Sequence, residues 1–181
     1  MHHVPNFITL VRLALVPVLA YCAAVEAYGA AAVVFLTAAL SDLLDGYVAR
    51  RFQVVSKLGA LLDPVADKLN MLVATVALAW QELVPIWLAV AIIGRDVVVA
   101  CGAIAYRLVH GSLTIKPTFM GKANTFLEFA VLFVVFAVAA NWIAGGSWLT
   151  MLFVLVLATV VASGLQYVLV WSRVPPKRDP G

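Results

Sequence analysis

Charged residues are scarce in this chain of 181 residues. Only 12% of the residues are Asp, Glu, Lys or Arg, while 65% are hydrophobic, and the mean hydropathy is +1.06. Soluble domains carry about 25% charged residues, so the composition excludes an ordinary soluble domain and indicates a bilayer protein. The period-2 alternation of membrane strands is also missing, which favours membrane helices.

Cysteine is rare too. Cys22 and Cys101 lie in separate apolar stretches, so no disulfide framework is expected. No cluster of Cys and His exists that would suit zinc. The N-terminal sequence lacks the basic segment of a cleavable signal peptide and the Arg- and Ser-rich composition of a transit peptide, so we expect neither.

Long apolar runs occupy most of the chain. A membrane-spanning helix needs roughly 20 apolar residues. Six segments meet this length: about Phe7–Val25, Ala30–Arg50, Leu58–Trp80, Pro85–Arg107, Phe119–Ala140 and Trp148–Trp171. The sequence therefore predicts an all-α, polytopic membrane protein with six transmembrane helices. Residues 1–174 would form a single domain, and residues 175–181 a short basic tail.

The basic residues predict the orientation. The junctions near Glu26, near Glu82 and across Asn141–Ser147 contain no Lys or Arg, whereas the other junctions and the C-terminal tail are basic. The positive-inside rule then places both termini in the cytoplasm, in a bacterial inner membrane. Residues 4–11 would begin as a surface helix, with Arg12 near the interface. The basic face suits anionic lipid headgroups or nucleotide phosphates, and no nucleic acid partner is expected.

Four aspartates interrupt this apolar sequence. Asp42 and Asp45 lie three residues apart and Asp63 and Asp67 four apart, so each pair shares one face of a helix. An acidic residue inside a membrane helix usually marks a functional site. A short turn at Arg51–Ser56 would bring the two helices together as antiparallel neighbours, with both pairs at a similar depth near the cytoplasmic surface. Four converging carboxylates repel one another unless cations lie between them.

The aspartates and their neighbours suit divalent metal ions and a phosphate ligand. Oxygen ligands favour Mg²⁺, Mn²⁺ or Ca²⁺ over soft metals, and four carboxylates can hold two ions. The small residues Gly46, Ala49 and Gly59 leave room beside the aspartates, because a glycine lets a ligand approach the backbone. Arg50 is placed to bind phosphate.

These residues resemble a family signature. The sequence DLLDGYVAR at 42–50, followed by eight residues and GALLDPVAD at 59–67, is similar to the pattern DxxDGxxAR-x8-GxxxDxxxD of the CDP-alcohol phosphotransferases (CDP-alcohol phosphatidyltransferase class I). The resemblance covers nearly the whole chain, and six membrane helices are also typical of the family. It implies an enzyme that transfers a phosphatidyl or similar group from a CDP-linked donor to an alcohol and releases CMP.

The resemblance also implies roles for individual residues. Asp42, Asp45, Asp63 and Asp67 would bind two divalent cations, Mg²⁺ or Mn²⁺, with Asp67 also acting as general base. The donor nucleotide would contact Gly46, Ala49, Arg50 and Gly59. A homodimer embedded in membrane lipids is expected from the family.

The acceptor alcohol has to be inferred from other segments. The sequences IGRDV at 93–97 and IKPTFMGKANT at 115–125 resemble the cardiolipin synthase branch, which joins CDP-diacylglycerol to phosphatidylglycerol. Phosphatidylglycerophosphate synthases tend to have a lysine where this chain has Asn124, and a phosphomonoester acceptor should favour that extra cation. The candidate acceptor contacts are Lys116, Lys122, Asn124 and Arg95.

Other interpretations remain open. Glycerol 3-phosphate, the acceptor of phosphatidylglycerophosphate synthases, is the alternative. Arg95 could instead pair with another helix, Lys116 and Lys122 could be ordinary loop charges, and Glu128 is expected in polar packing. A cation transporter could also use four aspartates, although transporters usually show internal repeats and broken helices in both halves, which this chain lacks. The HxK motif of phospholipase D-like cardiolipin synthases is absent, which excludes their mechanism.

Overall fold

The computed structural model describes residues 4–52, 57–110 and 119–172, with side chains for residues 10–41, 65–106 and 120–167 and for Leu108 and Leu169. All regular secondary structure in this part of the chain is helical, and it contains no strand, as predicted. The helices are α1 (Val4–Ala24), α2 (Tyr28–Phe52), α3 (Lys57–Trp80), α4 (Ile86–His110), α5 (Phe119–Ala139) and α6 (Trp148–Ser172). Each helix begins and ends within three residues of its predicted span.

Three of these helices are long and apolar enough to cross a membrane. Their apolar spans are Ile86–Tyr106, Met120–Ala139 and Trp148–Tyr167, and the apolar stretches of α1 and α2 within the described residues are shorter, Leu10–Ala24 and Tyr28–Ser41. The chain is therefore a multi-pass membrane protein. α2 and α3 continue beyond their apolar stretches into the segments that carry the four aspartates.

The helices divide into two compact units. Unit 1 comprises Met1–Val84 and Leu132–Gly145, and α1 packs on both α2 and α3 within it. Small buried residues such as Ala23, Ala31 and Ala74 let the backbones approach closely, which drives helix association in lipid. An aromatic contact joins Phe35 and Phe136, whose ring centroids are 5.8 Å apart.

The ends of α1, α3 and α5 share one turn geometry. Glu26, Glu82 and Asn141 each have a φ of 59°, in the left-handed region. After α1, Glu26 N–H donates to the Ala23 carbonyl and Ala27 N–H to the Cys22 carbonyl; the same pair of bonds follows α3 and α5. This is the Schellman motif, which usually has glycine at the left-handed position. All three turns lie at the junctions that contain no Lys or Arg.

Unit 2 comprises Pro85–Val131 and Gly146–Gly181, and α4 packs on α6 within it. The buried residues of α4 include Leu88, Ile92 and Arg95, spaced four and three residues apart. Those of α6 include Val156, Val160 and Ser163. Each helix thus has one buried stripe, and each stripe ends in a polar side chain.

Candidate active site

α2 carries the first part of the aspartate signature. Ala31, Phe35 and Ala38 are buried at intervals of four and three residues, and positions 42 and 45 continue this spacing on the same helix. The backbone is helical from Tyr28 to Phe52, so Asp42, Asp45, Gly46, Ala49 and Arg50 lie on a helix as predicted. Their side chains lie outside the described residues, and their ligand roles stay predictions.

α3 carries the second part. Gly59, Asp63 and Asp67 lie on this helix, which packs against α2. The side chains of residues 57–64 are not among those described, but Asp67 is half-buried and has at least one interaction partner. The predicted pairing of two neighbouring helices is therefore present. The convergence of the four carboxylates remains a prediction.

Asn70 extends the polar surface of α3 beyond Asp67. It lies three residues after Asp67, and its side chain is 4% exposed. Its Nδ2 donates to the Ala66 carbonyl at 3.2 Å, whereas its Oδ1 is buried without a hydrogen-bond partner among the described residues. Asn70 is not among the residues predicted from the sequence, although its helical spacing from Asp67 indicates a shared face.

Arg12 lies buried on α1, the helix that packs against both aspartate-bearing helices. Its side chain is 1% exposed, and it is among the largest fully buried side chains in the described part of the chain. The sequence analysis placed Arg12 near the interface and gave it no role. The position of Arg12 inside the apolar stretch Leu10–Ala24 indicates that it is buried. It is also seven residues from the buried Leu19, a spacing that places both on one helix face.

The donor chemistry suits divalent cations. In the residues whose side chains are described, no group of three or more His, Cys, Asp or Glu could hold a metal ion, but the side chains of Asp42, Asp45 and Asp63 are not among them. The four signature positions supply only carboxylate oxygens, which suit Mg²⁺ or Mn²⁺. The buried Asn70 Oδ1 adds a further oxygen on the same helix. The residues therefore fit the metal-binding prediction.

Arg95 has internal partners in unit 2. Its Nη1 lies 2.8 Å from Asp96 Oδ1, its Nη2 donates to Ser163 Oγ at 2.8 Å, and its guanidinium carbon lies 5.7 Å from the centre of the Tyr167 ring. The ion pair with Asp96 lies within α4, whereas the contacts with Ser163 and Tyr167 join α4 to α6. They agree with the helix-pairing alternative, while the Nε of Arg95 is buried without a hydrogen-bond partner among the described residues.

The other candidate acceptor residues differ in exposure. Asn124 is fully buried on α5, and its Nδ2 donates to Glu128 Oε1 at 2.7 Å. The expected polar packing of Glu128 is therefore confirmed. Lys122 is exposed, and Lys116 lies outside the described residues.

Comparisons with known proteins support the signature. The model of the CDP-alcohol phosphatidyltransferase family matches residues 2–175. The chain is 32% identical to the cardiolipin synthase (CMP-forming) of Homo sapiens over 180 residues, covering 91% of this chain and 60% of that protein. It is 34% identical to the cardiolipin synthase (CMP-forming) of Streptomyces coelicolor over 148 residues, covering 78% of this chain and 68% of that protein.

A relative with a different name also matches. Over 104 residues the chain is 47% identical to a CDP-diacylglycerol–glycerol-3-phosphate 3-phosphatidyltransferase of Pseudomonas fluorescens, covering 54% of this chain and 53% of that protein. The chain spans between 30% and 60% of the length of several cardiolipin synthase relatives. Because the family model covers nearly the whole sequence, the chain belongs to the CDP-alcohol phosphatidyltransferase family of enzymes.

Proposed function

We propose that this protein is a cardiolipin synthase that transfers the phosphatidyl group of CDP-diacylglycerol to phosphatidylglycerol and releases CMP. The observation that carries the proposal is the complete aspartate signature on the packed helices α2 and α3. The relatives named cardiolipin synthase, at 32% and 34% identity, support the choice of acceptor.

The proposed reaction is a displacement at the β-phosphorus of the donor. The acceptor hydroxyl oxygen forms a bond to this phosphorus, while the bond from the phosphorus to the oxygen of CMP breaks. The electron pair of the broken bond leaves with CMP, and the hydroxyl proton moves to Asp67. A carboxylate can act as a base here when it lies within hydrogen-bond reach of the hydroxyl.

Asp42, Asp45, Asp63 and Asp67 would bind two divalent cations, Mg²⁺ or Mn²⁺. Bound cations of this kind orient a pyrophosphate and stabilise charge on a departing phosphate. The carboxylates supply four negative charges, which the cations offset. The half-buried position of Asp67 suits a residue that must meet both the nucleotide site and a lipid substrate.

The donor nucleotide would lie against α2 and α3. Gly46, Ala49 and Gly59 leave space for the cytidine because they have little or no side chain, and Arg50 would hold a phosphate. All four occupy helical positions close to the aspartates in the sequence.

The acceptor would be recognised by Lys116, Lys122, Asn124 and Arg95. The exposed Lys122 is available for a phosphodiester, whereas Asn124 adds no charge beside Glu128. An uncharged side chain at position 124 favours an acceptor with a phosphodiester over one with a phosphomonoester dianion.

The second candidate function is phosphatidylglycerophosphate synthesis, with glycerol 3-phosphate as acceptor. It is favoured by the 47% identity to the Pseudomonas fluorescens enzyme. Both reactions would use the same donor and aspartates, and they would differ only in the acceptor.

We further propose that all six helices cross a bacterial inner membrane, with both termini and the aspartate site on the cytoplasmic side. This orientation follows from the distribution of Lys and Arg. The nucleotide would then remain in water, and the acyl chains in lipid. A homodimer and a single domain over residues 1–174 complete the proposal.

The test is an acceptor assay with the purified full chain in mixed micelles containing CDP-diacylglycerol and Mg²⁺ or Mn²⁺. Phosphatidylglycerol and glycerol 3-phosphate are supplied separately, and CMP and lipid products are measured. Cardiolipin and CMP with phosphatidylglycerol alone would support the proposal. Product with glycerol 3-phosphate alone would favour the second candidate. If no CMP were released with either acceptor, both candidate functions would be contradicted.

A further inference from the structure

Arg12 is a buried cation with at least one interaction partner. Removing a guanidinium from water costs several kcal/mol unless an anion compensates it, and Arg12 is 1% exposed in a helix of a membrane protein. Because α1 packs on α2 and α3, the anionic positions of the signature are on its two neighbours in unit 1. This places a buried cation beside the helices that would bind the donor.

A hydrogen bond fixes the register between α1 and α3. Gln81 Nε2 donates to the Ala23 carbonyl, at the C-terminal ends of both helices. Since the two helices also pack against each other, they run in the same direction. Counting back equally from the two bonded residues brings Arg12 level with Asn70.

Asp67 lies three residues before Asn70, so its backbone is about 4.5 Å from the level of Arg12 along the helix axis. A cavity of about 460 Å³ is lined in part by Ala20 and Ala24 of α1 and Val76 and Trp80 of α3, so the two helices also lie beside each other near their C-terminal ends. Arg12 therefore lies at the depth of the proposed general base.

The depth of Arg12 indicates which part of the donor lies nearest to it. Gly46, Ala49 and Arg50, the proposed nucleotide contacts, lie nearer the end of α2 at Phe52 than Asp42 does. Asp67 acts where the acceptor hydroxyl meets the β-phosphorus. A cation within one helical turn of Asp67 is therefore closer to the β-phosphoryl group than to the cytidine.

We propose that Arg12 binds the β-phosphoryl group of the CDP-linked donor, the group that is transferred. The inference rests on the proposed function. Four carboxylates and two divalent cations cancel in charge, and the donor pyrophosphate then adds two negative charges to the site. The guanidinium of Arg12 offsets one of them with the paired donors that suit phosphate oxygens.

The test compares the binding of CDP and CMP to the purified full chain in detergent with Mg²⁺, by isothermal titration calorimetry. CDP carries the β-phosphate, and CMP lacks it. We expect Arg12→Gln to weaken CDP binding about 10- to 100-fold, as the loss of a charge-assisted hydrogen bond implies, and to leave CMP binding within twofold. Arg12→Lys, which keeps the charge and is easier to fold, should weaken CDP binding to a smaller extent.

Thr75→Val is the matched control. Thr75 is fully buried on α3 and its hydroxyl donates to the Met71 carbonyl at 2.8 Å, so the variant changes a buried polar group of unit 1 without changing charge. Both nucleotides should bind it normally. Equal CDP affinity in wild type and both Arg12 variants, or equal losses for CDP and CMP, would overturn the role of Arg12. Wild-type protein that binds neither nucleotide would instead overturn the proposed function, and the inference with it.

Discussion

The two units treat buried polar residues differently. In unit 2, Arg95 contacts Asp96 and Ser163, and Asn124 contacts Glu128, so these polar side chains pair with one another, while Arg95 Nε and Asn124 Oδ1 are buried without a hydrogen-bond partner among the described residues. In unit 1, the signature places four acidic residues on two packed helices, with Arg12 as a buried cation on the third. Polar groups that satisfy each other stabilise a helix bundle. An excess of one charge on packed helices indicates that a ligand completes the site.

The largest effect is expected for Asp67→Asn in unit 1. An amide cannot accept the proton of the acceptor hydroxyl, so CMP release should fall about 10²- to 10⁴-fold. Binding of CDP-diacylglycerol should change far less, because three metal-binding aspartates remain. Turnover and donor affinity, measured separately on the folded protein, would check this, and retained turnover would refute the general-base assignment.

A smaller effect, on stability, is expected for Arg95→Ala in unit 2. The change removes the ion pair between Arg95 and Asp96, but the Asp96 side chain is 22% exposed, so the loss should stay below the roughly 3–5 kcal/mol of a fully buried pair. Ser163→Ala removes one hydrogen bond and should lose only about 0.6 kcal/mol. Unfolding free energies in detergent would measure both.

The proposed contrast between the two units would fail if Arg95→Ala left the unfolding free energy unchanged. A raised KM for phosphatidylglycerol at normal stability would then assign Arg95 to acceptor binding, as the sequence alone suggested, and not to the joining of α4 and α6.

Position 124 offers a sharper test of acceptor choice. A lysine there would lie beside the Glu128 carboxylate, which now accepts from Asn124 at 2.7 Å, so Asn124→Lys alone should change little. Adding Glu128→Gln leaves that cation to bind a phosphomonoester. We expect the ratio of activity with glycerol 3-phosphate to activity with phosphatidylglycerol to rise about tenfold in the double variant, as roughly 1.5 kcal/mol for a charged hydrogen bond implies. An unchanged ratio would mean that the residue at position 124 does not determine which acceptor is used.

The smallest effect concerns the turns of unit 1. Glu82 has a φ of 59° at the end of α3, where a residue with a side chain is strained by about 1–2 kcal/mol, partly offset by the flexibility of glycine in the unfolded chain. Glu82→Gly should therefore raise the unfolding free energy by up to about 1 kcal/mol. Glu82→Ala removes the same charge and keeps the strain, so a gain as large in this control would contradict the backbone explanation.

Much of the fold was predictable because apolar run length determines membrane helices. The bounds of α3 and α5 differ from the predicted spans by one residue at most. The Schellman turns were not predictable from composition, because Glu26 and Glu82 occupy positions where glycine is usual. Nor was the burial of Arg12, since the positive-inside rule treats every arginine near a helix end as an interfacial charge.

Part of the candidate site was also predictable, because residue spacing determines which side chains share a helix face. The spacing of Asp63 and Asp67 specifies one helix face from the sequence alone. The pairing of Asn124 with Glu128, by contrast, depends on rotamers that spacing only permits. Arg12 lies at the same level as Asn70 because of the register between α1 and α3. That register is fixed by the hydrogen bond from Gln81 to the Ala23 carbonyl, between residues 58 positions apart.

The most direct test of the central claim, that the acids of unit 1 bind metal while those of unit 2 serve structure, is Mn²⁺ binding to the purified protein by electron paramagnetic resonance. We predict about two bound ions per wild-type chain, fewer bound ions or weaker binding in Asp63→Asn, and normal binding in Asp96→Asn. Equal binding by wild type and both variants, or no bound Mn²⁺ in the wild type, would contradict the account.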